Sequence, residues 1–173
     1  MMQALVLRFD YKSSAFMENL QKQAVNAAGM SGPPLPPHLS LLTLQHADSA
    51  SLKRVAEDKA LHLNNTFLSF SSIGFFKQNG RFFLSPAASK ALMDAHFKIQ
   101  STARGYQGHL HEHEPEEWTP HVPIITGILP PFQGPMFARL SMEFEPFKAK
   151  AAAIECWTLT GDHIETDWSL FLD

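Results

Sequence analysis

Pro36-Pro37-His38-Leu39-Ser40-Leu41-Leu42-Thr43-Leu44 is a leucine-rich run opened by two prolines, and it reads as a short β-strand. Side chains alternate across a strand, so His38 and Ser40 share one face while Leu39 and Leu41 point to the other. One face therefore presents an imidazole beside a hydroxyl, and the other is apolar. A second stretch far downstream, Trp118-Thr119-Pro120-His121-Val122-Pro123-Ile124-Ile125-Thr126, repeats the pattern: a histidine directly after a proline and directly before a β-prone run. The organisation of the chain turns on whether these two stretches are equivalent.

The elements around them alternate in type. Ala4 to Phe9 reads as a strand. Ser13 or Ser14 can cap a helix over Ala15 to Ala28, with Phe16, Leu20, Ala24 and Ala27 at helical spacing and Gly29 as its stop. Residues 31–37 form a proline-rich loop that delivers the chain into the His38 strand. Ser49 or Ser51 can cap a second helix running to about Leu63, with Leu52, Val55 and Ala56 inward. Thr66 to Phe76 is a strand, Asn79-Gly80 is a hairpin signal, and Arg81 to Leu84 returns as its partner. A third helix, Ser89 to about Ala103, turns Leu92, Ala95, His96 and Ile99 inward. Gly105 to Glu117 is irregular. The strand His121 to Ile128, a helix over Phe132 to Met142 and two strands, Phe147 to Leu159 and Ile164 to Leu172, complete the chain. The order repeats a histidine strand, a helix and a hairpin. It predicts one domain, 1–173, of two packed α+β units.

The totals narrow the class. With 173 residues, 45% hydrophobic, the chain can bury a substantial core. A net charge of −3 gives no sign of a nucleic-acid coat or a membrane surface, though local donors can still bind a small anion. The single cysteine, Cys156, excludes a disulfide framework within the chain and reads as a buried thiol. The opening Met1 to Asp10 has no basic leader and no long apolar core. A cytoplasmic protein without membrane association is expected, and no protein partner is implied.

Two imidazoles can divide acid and base work near neutral pH, since the unperturbed group titrates near 6.5. One takes a proton from an attacking hydroxyl or water, and the other gives one to the leaving oxygen. A hydroxyl two residues further along the same face can donate to a phosphate oxygen. That set suits in-line displacement at a phosphodiester, with hydrogen bonds to the phosphate as the main stabilising contribution.

On these residues the chain resembles the 2H phosphoesterase superfamily, the 2′-5′ RNA ligase and cyclic phosphodiesterase group, marked by two His-x-Thr/Ser motifs. His38-Leu39-Ser40 matches the first motif and His121-Val122-Pro123 aligns with the second. The strand-turn-strand of Gly74 to Leu84, the following Ser85-Pro86 and the closing Trp168-Ser169-Leu170-Phe171-Leu172 extend the likeness over nearly the whole chain. The resemblance implies an α+β fold of two pseudo-symmetric lobes, each an antiparallel sheet with helices on its outer face and an active cleft between them. It implies His38 and His121 as the catalytic pair, Ser40 as a phosphate donor, no metal and no cofactor. The implied substrate is a small nucleotide or an RNA end carrying a 2′,3′-cyclic phosphate or a 2′-5′ linkage.

Pro123 departs from the family pattern, because proline offers neither hydroxyl nor N–H. A slow enzyme, a substitute donor, or a nucleotide- or RNA-binding module that has given up catalysis would each accommodate it. Thr119, two residues before His121, is the candidate substitute. Arg81, which opens a hairpin strand, is the leading candidate for a phosphate contact among Arg8, Arg81, Arg104 and Arg139, and Trp118 for stacking a nucleobase, ahead of Phe75, Phe76 and Tyr106. His109, His111 and His113 alternate in the irregular region, which would allow zinc ligation. Their acidic neighbours Glu112, Glu114, Glu116 and Glu117 favour a solvated loop instead.

Overall fold

The structure, a computed structural model, describes residues 1–32, 34–106, 108–109 and 117–173. The described elements are β1 (Met2–Phe9), α1 (Tyr11–Ala28), β2 (Leu39–Gln45), α2 (Ser49–Ala60) with a 3₁₀ turn at Leu61–Leu63, β3 (Phe67–Phe76), β4 (Arg81–Pro86), α3 (Lys90–Ala103), β5 (Val122–Ile125), α4 (Pro130–Glu143), β6 (Phe147–Thr160) and β7 (His163–Phe171). Three helix starts are set by side-chain caps. Asp10 accepts from the Ser13 N–H, Asp48 from the Ala50 and Ser51 N–H groups, and Ser89 from the Leu92 N–H. The first two helices thus begin on aspartates and not on the neighbouring serines, because a carboxylate at the N-cap also answers the helix dipole.

All strand pairs are antiparallel, in the order β2-β1-β6-β3-β4-β5 with β7 also on β6. β6 joins two halves of the sheet. Phe147 to Lys150 pair with β3, while the residues from Ala151 onward pair with β1 and, from Ala153, with β7. A register shift opposite Arg8 and Phe9 marks the change of partners. β2 and β5 stand at the two ends of the strand order and yet touch one another, so the sheet curls back on itself. His38 immediately precedes β2 and His121 immediately precedes β5.

The α+β class and the division into two sheet halves are as expected, but the helices are exchanged between halves. α1, from the first part of the chain, packs on β5 and α4; α3, from the second part, packs on β2 and α2. This explains the inner face of α1. Met17, Leu20, Gln21 and Ala24 are buried, whereas Ala27 is exposed and Phe16 only half-buried. A helix packed against a second sheet half turns a wider and differently centred stripe inward than sequence periodicity suggests. The helix-covered face holds the main core, where Leu5 pairs with Cys156 and Leu7 with Ile154, all fully buried. Burial, reinforced by Asp167, pushes the Cys156 thiol up to about 12, which suits packing and not nucleophilic attack. The opposite face carries the smaller cluster of Ala4, Val6 and Trp157. No helix among the described residues is long and apolar enough to cross a membrane.

Candidate active site

The two histidines are held by the same local device. His38 Nδ1 lies 2.7 Å from the Pro36 carbonyl oxygen, and His121 Nδ1 lies 2.8 Å from the Thr119 carbonyl oxygen. A carbonyl only accepts, so Nδ1 carries the proton in each ring and, in the neutral form, Nε2 holds the lone pair. In both cases the carbonyl residue is followed by proline, which restricts it to extended backbone. The chain thus spends Nδ1 on its own backbone and leaves Nε2 for chemistry.

Their surroundings differ. His38 is buried, with its ring tilted against Trp157 at a centroid distance of 4.7 Å. The Arg8 guanidinium lies 5.4 Å from the Trp157 ring centre and pairs with Glu155 at 2.9 Å, while Trp157 Nε1 donates to the same carboxylate at 2.8 Å. Burial pushes His38 down to about 4; its hydrogen bond to the Pro36 carbonyl opposes this, and the positive charges of Arg8, His121 and Arg81 add to it. The strands that the two histidines enter, β2 and β5, are in contact, and the charges of His121 and Arg81 bear on His38.

His121 is half-buried, edge-on to Phe76 at 5.1 Å and tilted against Phe83 at 5.2 Å. Arg81 reaches its Nε2 with a guanidinium nitrogen at 3.4 Å and steadies itself by donating from Nε to Thr126 Oγ1 at 3.1 Å. The hairpin that supplies Arg81 turns at Gly80, which has a φ of +60° and lies so close to the Ile128 backbone that a Cβ would overlap it. Gly74, across from Phe83, likewise leaves room for the Phe83 ring beside His121.

Ser40 is half-buried and lies opposite Val6, which in turn lies opposite Glu155, on the same face as Trp157. Its position depends on a bulge. Leu5 pairs with Leu42 and Val6 with Ser40, so Leu41 is the extra residue. The Leu41 carbonyl accepts from Gln100 Nε2 of α3 at 2.7 Å, and Gln100 Oε1 accepts from His109 Nε2 at 2.8 Å. His109 is therefore no solvated loop residue: it is half-buried and bridges Leu44 of β2. His111 and His113 lie outside the described residues. Among the described residues no group of three or more His, Cys, Asp or Glu side chains could hold a metal ion.

Pro123 lies opposite Phe83 on β4. Its carbonyl accepts from Gln21 Nε2 of α1 at 3.1 Å, away from the β4 ladder, so its missing N–H falls on the unpaired side of an edge strand, where proline is tolerated. The same Gln21 nitrogen donates to the Leu35 carbonyl at 3.0 Å. One buried amide thus ties the approach to His38 to the strand that follows His121.

The structure brings His38, His121, Arg81, Arg8 and the Ser40 face together. Thr119 contributes its carbonyl to His121, and its side chain is exposed. Trp118 packs inward, only 7% exposed, its ring stacked on His96 at 3.5 Å and 6°, and offers no open face to a base. Arg139 lies on α4, bonded to Gln23 and Glu143, and Arg104 caps α3. Sequence reasoning missed Gln21, Glu155, Trp157 and Phe83. Glu155 had a readable signal as the charged residue within the apolar run Ala151 to Leu159, with Trp157 two residues on.

Comparisons with known proteins bear on the family and the fold. A family model described as the 2′-5′ RNA ligase superfamily matches residues 10–163. Among solved structures, LigT from E. coli in apo form superposes with a TM-score of 0.61 at 8% identity, covering 98% of this chain and 96% of that one. A structure described as a phosphoesterase gives 0.58 at 11% identity, covering 98% and 97%. E. coli LigT complexed with 3′-AMP gives 0.57 at 11% identity, again covering 98% and 97%. At these identities the likeness is one of fold. No curated protein sequence matches the chain.

Proposed function

The chain belongs to the 2′-5′ RNA ligase superfamily, and from that premise we propose that it is a metal-independent phosphoesterase opening 2′,3′-cyclic phosphates or 2′-5′ linkages of small nucleotides or RNA ends. The observation that carries the reading is the matched pair of imidazoles, each with Nδ1 bonded to the carbonyl two residues back, so that Nε2 is the nitrogen that exchanges protons. His38, held neutral by burial, suits the general base. Its Nε2 takes a proton from the attacking water as the new phosphorus–oxygen bond forms. His121 in its protonated form gives its Nε2 proton to the departing ribose oxygen as the old bond breaks, leaving a phosphomonoester. Arg81 donates to His121 Nε2 at rest. An incoming phosphate competes for that guanidinium, and its negative charge favours a proton on the imidazole. Ser40 supplies a neutral donor from the opposite strand.

The test is turnover of 2′,3′-cyclic mononucleotides in excess EDTA. Wild type turns over, and His38→Ala and His121→Ala each lose about 10²–10⁴-fold in kcat/KM. Equal rates in all three proteins, or loss of the wild-type rate on chelation, would sink the reading.

A second reading rests on Pro123, which presents no hydroxyl where it faces Phe83: a cleft that binds nucleotides without turning them over. Calorimetry with a mononucleotide showing binding, together with no wild-type turnover, selects it.

A further inference from the structure

Beyond the last β1–β6 pair, Phe9 with Ala151, the chain leaves the sheet: the Asp10 N–H donates to the Lys150 carbonyl, Ser13 Oγ donates to the Lys148 carbonyl, and the first turn of α1 runs beside β6. Between them is a hollow of about 540 Å³ lined by Lys12, Ser13 and Phe16 of α1, Phe67 of β3, and Phe147, Lys148 and Lys150 of β6, with Asp10 at its wall. In a chain of net charge −3, three lysines converge here. Among the described residues none of the three makes an ion pair. The one acid, Asp10, is already engaged, accepting from the Ser13 N–H at 3.1 Å and the Lys150 N–H at 2.8 Å. Phe67 lies on a strand but leaves 59% of its surface exposed, and Phe16 and Phe147 stand edge to face behind it. Exposed aromatic surface beside ammonium groups that outnumber the one carboxylate is the combination that binds successive bases and phosphates of a single strand.

The hollow adjoins the cleft. Asp10 on its wall is two residues from Arg8 beside Trp157, and Lys150 is three residues along β6 from Ala153, the partner of Arg8. At the rise of a β-strand that is about 10 Å. We propose that this hollow is a second subsite for single-stranded RNA, taking nucleotides next to the one whose phosphate lies between His38 and His121. The proposal rests on the phosphoesterase reading and extends it to substrate class: an oligonucleotide end is favoured over a free mononucleotide.

The test compares a fluorescent octauridylate ending in a 2′,3′-cyclic phosphate with cyclic UMP. It uses the full chain, Lys148→Gln/Lys150→Gln, Phe67→Ala and Lys148→Arg/Lys150→Arg, each checked by thermal unfolding. Wild type binds the octamer at least 10-fold more tightly than cyclic UMP. The glutamine pair loses most of that advantage and lowers the salt slope by about 0.7 per lysine. Phe67→Ala loses part of it, the arginine pair retains it, and turnover of cyclic UMP is unchanged throughout. Equal affinity for octamer and monomer, or octamer binding indifferent to the glutamine pair, overturns the subsite. If no protein turns over either ligand while octamer binding still depends on the lysines, the subsite stands and the phosphoesterase reading falls.

Discussion

The strand entered by His38 and the strand entered by His121 begin alike and continue differently. Each imidazole donates to a carbonyl that precedes a proline. On the first side the ring is buried against Trp157, with Ser40 on the same face. On the second side the ring is half-buried between Phe76 and Phe83, an arginine reaches its Nε2, and Pro123 stands where the hydroxyl would be. The comparison teaches that tautomer and charge are governed separately. The local hydrogen bond sets which nitrogen is available, and the surrounding packing sets how readily it takes a proton.

The largest effect comes from deleting either imidazole, as above, and both losses follow from the shared device. Next is the pH response of the buried side. The unfolded chain protonates His38 near 6.5 and the folded chain only near 4. The unfolded state therefore binds more protons between these values, and stability present above pH 6.5 is lost as pH falls toward 4. The loss is about 3 kcal/mol. Urea unfolding at a series of pH values checks it: wild type falls relative to His38→Asn across that window, and parallel curves would refute it.

The second side is sharpened by Arg81→Met. Losing a charged donor to phosphate costs about 1.5–3 kcal/mol, so cyclic-nucleotide turnover falls roughly 10- to 150-fold, more than for Ser40→Ala, whose neutral bond is worth about 0.5–1.5 kcal/mol. A larger loss for Ser40→Ala would reverse the assignment of phosphate binding between the strands. Gln21→Leu removes the amide that donates to both Leu35 and Pro123 carbonyls. It lowers stability by about 1–3 kcal/mol in chemical denaturation, and Gln21→Ala cannot restore it. Smallest is Pro123→Thr. With Arg81 already supplying a donor, turnover rises by less than about 10-fold, within the worth of one neutral hydrogen bond; a rise of 100-fold would show that the second side had lost its donor outright.

Much of this was legible in the chain because it depends on neighbours in sequence. Strand alternation placed Ser40 with His38, Asn79-Gly80 marked the hairpin, and Leu52, Val55, Ala56, Leu92, Ala95, His96 and Ile99 fell on buried helix faces. Reach across the fold was not legible. Trp118 stands three residues from His121 yet turns inward onto His96, and His109 looked solvated yet holds Gln100. Nothing in the spacing of α1 shows that Gln21 meets Leu35 and Pro123, because the exchange of helices between sheet halves brings them together.

The sequence by itself determined the element order and the two Pro-His strands, since these follow from alternation and proline geometry. Only the tertiary structure decided that β2 and β5, at opposite ends of the strand order, come into contact, that Arg81 reaches His121 Nε2, and that His38 is held neutral. Those outcomes arise from the curl of the sheet about β6 and from burial, quantities that belong to the packed chain and to no segment of it.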